Sequence, residues 1–281
     1  MKKIAVIIDS TCYLDSDYIK DNNIEVVSLN VIIDGVSHRE VDIDNKVVFD
    51  SLNANKKVTT AQVAPGLFVD AYNKLINGGV DDILVFTISS GLSGTYQAAC
   101  IAREMVEGNI HIFDSKVAAY GVELIVMKVV DAINQNKSNK EVIEKAQTLS
   151  NNGHVLFTLT TLDHVVRGGR VSKASALIGN ALKIKPVVEM IDGRLEVTKK
   201  SRTNKRIIDK YIVETLVEQS LKFKQIYLRI INLKQNEIAL EIEKKIKENI
   251  SNIEITHTNY IGPVFSYHLG EEGYGITWSA E

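Results

Sequence analysis

A run of hydroxyl side chains and glycines, ISSGLSGT at residues 88–95, follows an apolar stretch that reads as a buried strand. A helical pattern begins directly after it. Glycine allows a sharp turn and a close approach to a ligand, and free N–H groups at a helix N-terminus favour an anion. Hydroxyl donors without added charge come from Ser89, Ser90, Ser93 and Thr95. The pattern predicts a site for a carboxylate or a phosphate, and helix capping by Ser93 or Thr95 remains an equal alternative.

The same loop lacks the signatures of several familiar sites. A Walker-type phosphate loop requires a lysine after its glycines, and none follows here. The dinucleotide pattern Gly-x-Gly-x-x-Gly is absent from this turn. Gly91, Ser93 and Gly94 are spaced one residue short of the Gly-x-Ser-x-Gly nucleophile elbow. The histidines are scattered, without neighbours at ligand spacing, so neither a metal nor another cofactor is expected.

Composition excludes several classes of protein. The chain has 281 residues, of which 45% are hydrophobic and 24% charged, and this is typical of a globular protein. A formal net charge of −2 gives no basic footprint for nucleic acid. The two cysteines do not form a disulfide framework, so the expected location is the reducing cytoplasm. The N-terminal apolar run meets Asp9 after five residues, which predicts a first strand rather than a signal peptide.

Strand-like and helix-like segments alternate along the first half of the chain. Strands are predicted at 3–8, 26–33, 82–88 and 109–114, with helices at 66–77, 95–107 and 117–134. This alternation predicts a mostly parallel sheet with flanking helices. The "DST" at 9–11 is interpreted as a capping motif after the first strand, and Ser138 with Glu141 as a capping box.

The second half of the chain shows a different pattern. Asp-Gly at 192–193 lies between two alternating runs and predicts a hairpin. Later segments predict helices at 203–221 and 235–249 and strands at 225–231 and 253–258. The expected architecture is α/β with two lobes, an N-terminal domain at 1–150 and a C-terminal α+β domain at 151–281. A ligand tunnel is expected between or within the lobes.

The chain resembles the DegV family, bacterial fatty-acid-binding proteins that include the FakB carriers. The resemblance rests on DSTCYL (9–14), VTTAQVAPGLF (58–68), ISSGLSGTYQAA (88–99), FDSKVAAYGVEL (113–124), LDHVVRGGRVS (162–172), IGNALKIKPVVEMIDGRL (178–195) and GPVFSYHLGEEGYGI (262–276). These segments occur in the family's order over nearly the whole chain. The resemblance therefore identifies the chain as a member of this family.

Membership implies a carrier that holds one long-chain fatty acid in an internal tunnel and is not itself an enzyme. In FakB-like members a separate ATP-dependent kinase phosphorylates the bound acid, and the acyl phosphate enters phospholipid synthesis. By resemblance, Thr60, Ser93 and His268 bind the carboxylate, with Thr60 on a loop separate from that of Ser93, and Arg170 serves coupling to the kinase. Stable membrane insertion is not expected. The apolar residues of 176–188 either line the tunnel or pack in the core.

Three departures from the family pattern surround the implied head-group site. The usual Thr-Ser-Gln-Pro-Ser motif stands here as Thr-Ala-Gln-Val-Ala at 60–64. Tyr267 replaces the usual threonine before His268, and Glu271 and Glu272 follow His268 in the sequence. The first change removes two hydroxyl donors, and the others add bulk and negative charge.

Two other functions remain alternatives. A serine-dependent acyl or phosphoryl hydrolase would use Ser93 as nucleophile with His268 as base, oriented by a carboxylate. A lipid-sensing regulatory protein would share the carrier's pocket and differ in its partner.

Overall fold

The computed structural model describes residues 3–160, 163–172 and 184–281. Four parallel strands form the first sheet, in the spatial order β2-β1-β6-β7. Their bounds are β1 (Ile4–Asp9), β2 (Glu25–Val27), β6 (Asp82–Thr87) and β7 (Asn109–Asp114). Every residue of β6 is buried, because helices cover both faces of a parallel sheet.

Helices pack on the two faces of this parallel sheet. They are α3 (Pro65–Asn77), α4 (Thr95–Arg103), α5 (Tyr120–Asn134) and α6 (Asn139–Asn151). Along β6, Ile83 and Val85 belong to the core with α3 and α4, while Leu84 and Phe86 belong to the core with α5. The capping box predicted at the start of α6 is confirmed. The helix predicted from 117 begins three residues later, because Ala119 has a φ of 50° that a helix cannot accommodate.

A small antiparallel sheet, ordered β4-β3-β5, lies beside the parallel one. Its strands are β3 (Asn30–Ile33), β4 (Val36–Arg39) and β5 (Val58–Ala61), and α1 (Ser16–Asp21) and α2 (Asn45–Asn53) complete this region. The single strand predicted at 26–33 is therefore wrong. The chain leaves the parallel sheet at Ser28, whose hydroxyl donates to the Leu29 carbonyl at 2.8 Å, and β3 then pairs in the second sheet.

The second half of the chain forms a seven-stranded mixed sheet. Its strands are β8 (His154–Leu159), β9 (Val171–Ser172), β10 (Lys185–Ile191), β11 (Arg194–Ser201), β12 (Ile226–Leu233), β13 (Ile253–Thr258) and β14 (Gly273–Ala280). Their spatial order is β13-β12-β14-β8-β10-β11-β9. The hairpin predicted at Asp-Gly is confirmed, since β10 and β11 pair antiparallel around it.

The helices of the second half are α7 (Asp163–Gly168), α8 (Asn204–Arg206), α9 (Glu214–Ser220), α10 (Asn236–Asn249) and α11 (Pro263–Leu269). A π-helical segment, Ile207–Val213, joins α8 to α9. A core forms between one face of the mixed sheet and the helical segments around 207–216 and 239–246. Among the described residues, no helix is long and apolar enough to cross a membrane.

The predicted α/β class, with a parallel sheet and a separate mixed sheet, is confirmed. The strands of the first two sheets all precede residue 115, and those of the mixed sheet all follow residue 153. The division into domains at 1–150 and 151–281 stays a prediction. Contacts join the two regions: Glu123 on α5 pairs with Arg229 on β12, and the Tyr120 hydroxyl donates to the Tyr260 carbonyl at 2.9 Å.

Candidate functional site

A polar pocket of about 520 Å³ lies where the glycine-rich loop (residues 88–95) meets α11, β5 and the β10–β11 hairpin. Its volume is within the usual range of small-molecule sites, roughly 300–1,000 Å³. All four residues singled out by the family resemblance line it, although they are far apart in sequence. The lining includes Thr60, Gln62, Ser90, Ser93, Arg170 and His268.

Thr60 and His268 form a pair at this pocket, with Thr60 Oγ1 lying 3.0 Å from His268 Nε2. The interpretation that placed Thr60 on a loop is wrong, since it lies within β5 and faces Val31 of β3 in the register. Burial, together with the positive charge of Arg170, lowers the pKa of His268 to about 4, although a hydrogen bond with the Gly168 backbone opposes the shift. His268 is therefore neutral near pH 7 and contributes a hydrogen bond rather than a charge.

The position of the imidazole depends on Gly168, the last residue of α7. A Cβ atom on Gly168 would overlap His268 Nδ1, so a side chain at this position would displace the ring. The contacts between α7 and α11 thus allow the histidine to sit deep in the pocket.

Ser93 also lines the pocket, and it contacts the start of α4. Its Oγ lies 2.9 Å from Thr95 Oγ1 and accepts from the Thr95 N–H at 3.3 Å. The N-cap residue of α4 is Gly94, which has no side-chain capping bond. Ser93 therefore supports the first turn of α4 and also lines the pocket, and its binding of an anion stays a prediction.

Two other hydroxyls of the loop are committed to the protein itself. Ser89 is buried and donates to the Gly193 carbonyl at 2.6 Å, and Ser90 donates to Asp114 Oδ2 at 2.5 Å. A Cβ on Gly91 would overlap the Gly193 carbonyl. The crowding of serine and glycine in this loop thus has two causes: some residues dock the tip of the β10–β11 hairpin and others face the pocket.

Gly94 allows a close contact with Gln62. A Cβ atom there would overlap the amide oxygen of Gln62, which also lines the pocket. Gln62 follows β5, so the glycine brings the glycine-rich loop and the end of β5 together. This contact explains a second glycine of the loop without requiring a ligand.

A second, apolar cavity of about 50 Å³ lies beside the polar pocket. Leu195, Phe265 and Leu269 line both spaces. Beyond them the wall is almost entirely apolar and includes Ala118, Val155, Phe157, Ile231, Leu233 and Ile261. A polar pocket therefore lies next to an apolar space between the two halves of the chain.

Arg170 is exposed at the rim of the polar pocket. Its Nη1 donates to the Gly168 carbonyl at 2.9 Å, which holds the guanidinium near His268.

The apolar segment 176–188 was expected to line the tunnel or to pack in the core. Its residues 176–183 lie outside the described residues. Within the rest, Val187 and Val188 are wholly buried in β10.

Two buried acidic side chains, Asp9 and Glu40, lie near the site, and the sequence indicated a structural role only for Asp9. Asp9 caps the short 3-10 turn after β1 and accepts from the Thr11 N–H at 2.9 Å, which confirms the capping interpretation. Glu40 was not singled out, yet it is buried and accepts three hydrogen bonds, from Ser10 and Tyr13 in the turn after β1 and from Val264 in α11. Nothing in SHREVDID (37–44) distinguishes it from its acidic neighbours.

The fold and the site define an α/β protein with a polar pocket beside an apolar cavity. A family model described as the uncharacterised DegV family matches residues 3–281. A DegV domain-containing protein of Staphylococcus aureus strain COL is 32% identical over 282 residues, with 98% of both chains covered. The chain therefore belongs to the DegV family.

Two solved structures show the same fold over the whole chain. DegV of Bacillus subtilis, described as a fatty acid binding protein, matches with a TM-score of 0.82, 29% identity and 100% coverage of both chains. A fatty acid binding DegV family protein of Streptococcus agalactiae matches with a TM-score of 0.85, 25% identity and 100% coverage of both chains.

Proposed function

We propose that this protein binds one long-chain fatty acid, with the carboxylate in the polar pocket and the tail between the two halves of the chain, where the apolar cavity of about 50 Å³ must widen to admit it. The observation that carries the proposal is that the two spaces share Leu195, Phe265 and Leu269, so a tail would pass from one space to the other at this junction. A fatty acid has the matching division into a polar head and an apolar tail. The similar B. subtilis and S. agalactiae proteins, described as fatty acid binding, support the same assignment.

The two parts of the ligand contribute differently to affinity. Burial of each methylene is worth ~0.8 kcal/mol, so a tail of about 15 methylenes contributes ~12 kcal/mol before the cost of ordering. A charge-assisted hydrogen bond to the carboxylate adds ~1.5–3 kcal/mol. The tail therefore supplies most of the affinity, and Thr60, Ser93 and His268 fix the orientation of the head group.

Neutral donors at the head group suit a carrier that presents its ligand for a reaction. Because His268 is uncharged near pH 7, Thr60, Ser93 and His268 offer hydrogen bonds without a full positive charge. A carboxylate held in this way keeps more of its nucleophilicity than one paired with a cation. This supports presentation of the acid to an ATP-dependent fatty acid kinase, which would form an acyl phosphate for phospholipid synthesis.

The contacts favour a carrier over a serine hydrolase. His268 Nε2 pairs with Thr60, while Ser93 Oγ pairs with Thr95. A pKa near 4 makes His268 a weak base at neutral pH. Gly168 lies against its Nδ1, at the place where a hydrolase holds the orienting carboxylate. A lipid-sensing regulator would use the same pocket, and its partner would distinguish it.

The direct test is mass analysis of the protein as purified from its producing cell. We expect about one long-chain fatty acid per chain, released by organic extraction. The protein stripped of lipid should take up added palmitate and should not hydrolyse activated esters. Stripped, folded protein that binds no fatty acid of any length would refute the carrier function.

Arg170 gives a separate test of the kinase step. Arg170→Ala should leave fatty acid binding nearly unchanged, because the tail dominates affinity. It should slow acyl-phosphate formation with the cognate kinase by about tenfold or more, because one charged contact at the interface is lost. Arg167→Ala is the matched control, since Arg167 is an exposed arginine on the adjacent α7. Equal rates for wild type and Arg170→Ala would remove this residue from the coupling step.

A further inference from the structure

Glu40 connects three segments that surround the polar pocket. Its Oε1 accepts from the Val264 N–H at 3.0 Å and from the Tyr13 hydroxyl at 2.8 Å. Its Oε2 accepts from the Ser10 hydroxyl at 2.5 Å. The side chain is buried, and burial raises its pKa to about 7 against the opposing effect of these hydrogen bonds, while the charge of Asp9 adds to the rise. A buried acid that accepts from two other segments, the turn at 10–13 and the start of α11, fixes those segments relative to its own.

One branch of this network leads to His268. Val264 belongs to the first turn of α11, and His268 lies in the last turn of the same helix. Tyr13 supports the same end, because its hydroxyl lies 3.5 Å from the Phe265 nitrogen and its ring fills the space where a Cβ on Gly262 would be. The start of α11 is therefore anchored to Glu40.

The other branch leads to Thr60. The Glu40 N–H donates to the Leu29 carbonyl at 2.9 Å, and the Leu29 N–H donates to the Ser10 hydroxyl that Glu40 binds, at 3.0 Å. Leu29 lines the polar pocket and directly precedes β3. Thr60 sits opposite Val31 of β3 in the antiparallel pairing. The strand pair that carries Thr60 is thus tied to the same carboxylate.

We infer that Glu40 is a positioning residue for the head-group site: its carboxylate holds α11 and the β3–β5 pair in the register that brings His268 within hydrogen-bond distance of Thr60. The inference rests on the proposed function for its effect on fatty acid affinity. Its structural part is independent of any ligand, because the network is complete within the protein.

The test separates the length of the Glu40 side chain from its charge. Glu40→Asp keeps the charge but is one methylene too short to reach Val264. Glu40→Gln keeps the length and an oxygen that can accept from Val264 and Tyr13. The readout is the pKa of the His268 imidazole, followed by NMR in the full, lipid-free chain and assigned with His268→Gln. In wild type it should titrate near 4.

In Glu40→Asp the loosened helix should admit water, and the pKa of His268 should rise toward the ordinary 6.5. Palmitate affinity should fall by about tenfold, the loss of one good hydrogen bond at the head group. Glu40→Gln should keep the pKa and the affinity close to wild type. An unchanged pKa in Glu40→Asp, or a rise in Glu40→Gln alone, would overturn the inference.

Glu123 provides the matched control. It is also buried, burial also raises its pKa to about 7, and it pairs with Arg229 on β12. Glu123→Asp should leave the pKa of His268 near 4, and an equal rise in both aspartate variants would indicate general loosening and refute the inference. If Glu40→Asp does not fold, Tyr13→Phe removes one donor to the same oxygen, and it should raise the pKa of His268 by a smaller amount. An unchanged pKa in Tyr13→Phe would equally refute it.

The NMR readout keeps this inference separate from the proposed function. If the protein bound no fatty acid, the pKa of His268 would still respond to Glu40→Asp as described. If fatty acid bound normally while the pKa stayed near 4 in Glu40→Asp, the carrier function would stand and the positioning role would fail.

Discussion

Leu195→Trp should abolish tight binding of long-chain fatty acids while short acids lose little. Leu195 is 2% exposed and lines both the polar pocket and the apolar cavity. An indole there would close the junction and keep the tail out. Excluding about five methylenes, at ~0.8 kcal/mol each, costs ~4 kcal/mol, or about a thousandfold in affinity.

The position of this side chain is well defined by its surroundings. Leu195 follows the hairpin tip, and that tip is held by the hydrogen bond from Ser89 to the Gly193 carbonyl. Titration calorimetry with a series of acids of increasing length is the measurement. Leu195→Met conserves volume and should retain the wild-type dependence of affinity on chain length.

Thermal unfolding of the same variants shows whether the hairpin itself is disturbed, since overpacking a buried site costs ~1–3 kcal/mol. A folded Leu195→Trp that binds palmitate as tightly as wild type would show that the tail does not pass this junction. The polar pocket and the apolar cavity would then be unrelated spaces.

The sequence predicts the parallel sheet well because its signals are local. The apolar run 82–88 and the helix that follows the glycine-rich loop appear where their periodicity indicates. The break within 26–33 was missed, because Val26 and Val31 have the same strand-forming character although they pair in different sheets. Pairing partners lie far along the chain, and no local pattern specifies them.

In the candidate site, too, the sequence indicates local features but not the partners that are distant along the chain. Serine and glycine in the loop at 88–95 indicate a polar site, but the pattern does not separate Ser93, which faces the pocket, from Ser89, which binds the hairpin. The resemblance to the DegV family predicts that Thr60 and His268 belong to one site. Their separation of 208 residues in the sequence does not indicate this. Glu40 was missed because its role depends on partners from two distant segments, the turn at 10–13 and α11.

Removal of single head-group donors should weaken binding without abolishing it. Ser93→Ala should lower fatty acid affinity by about 10- to 150-fold, the equivalent of one charge-assisted hydrogen bond of ~1.5–3 kcal/mol. Thr60→Val keeps the shape of the side chain, removes its hydroxyl and should have a similar effect. Ser90→Ala is the matched control: Ser90 lines the same pocket, but its hydroxyl is bound to Asp114.

The double variant distinguishes a shared anion from two separate contacts. If Ser93 and Thr60 donate to one carboxylate, the loss in Ser93→Ala with Thr60→Val should differ from the sum of the single losses, because neighbouring donors to one group are coupled. Thr60→Val also leaves His268 Nε2 without its partner, so the imidazole can turn toward the ligand and recover part of the lost energy. Strictly additive losses would place the two hydroxyls on different groups. A serine hydrolase would respond differently, with ester turnover lost in Ser93→Ala and binding preserved, because its nucleophile acts in the chemical step rather than in holding the head group.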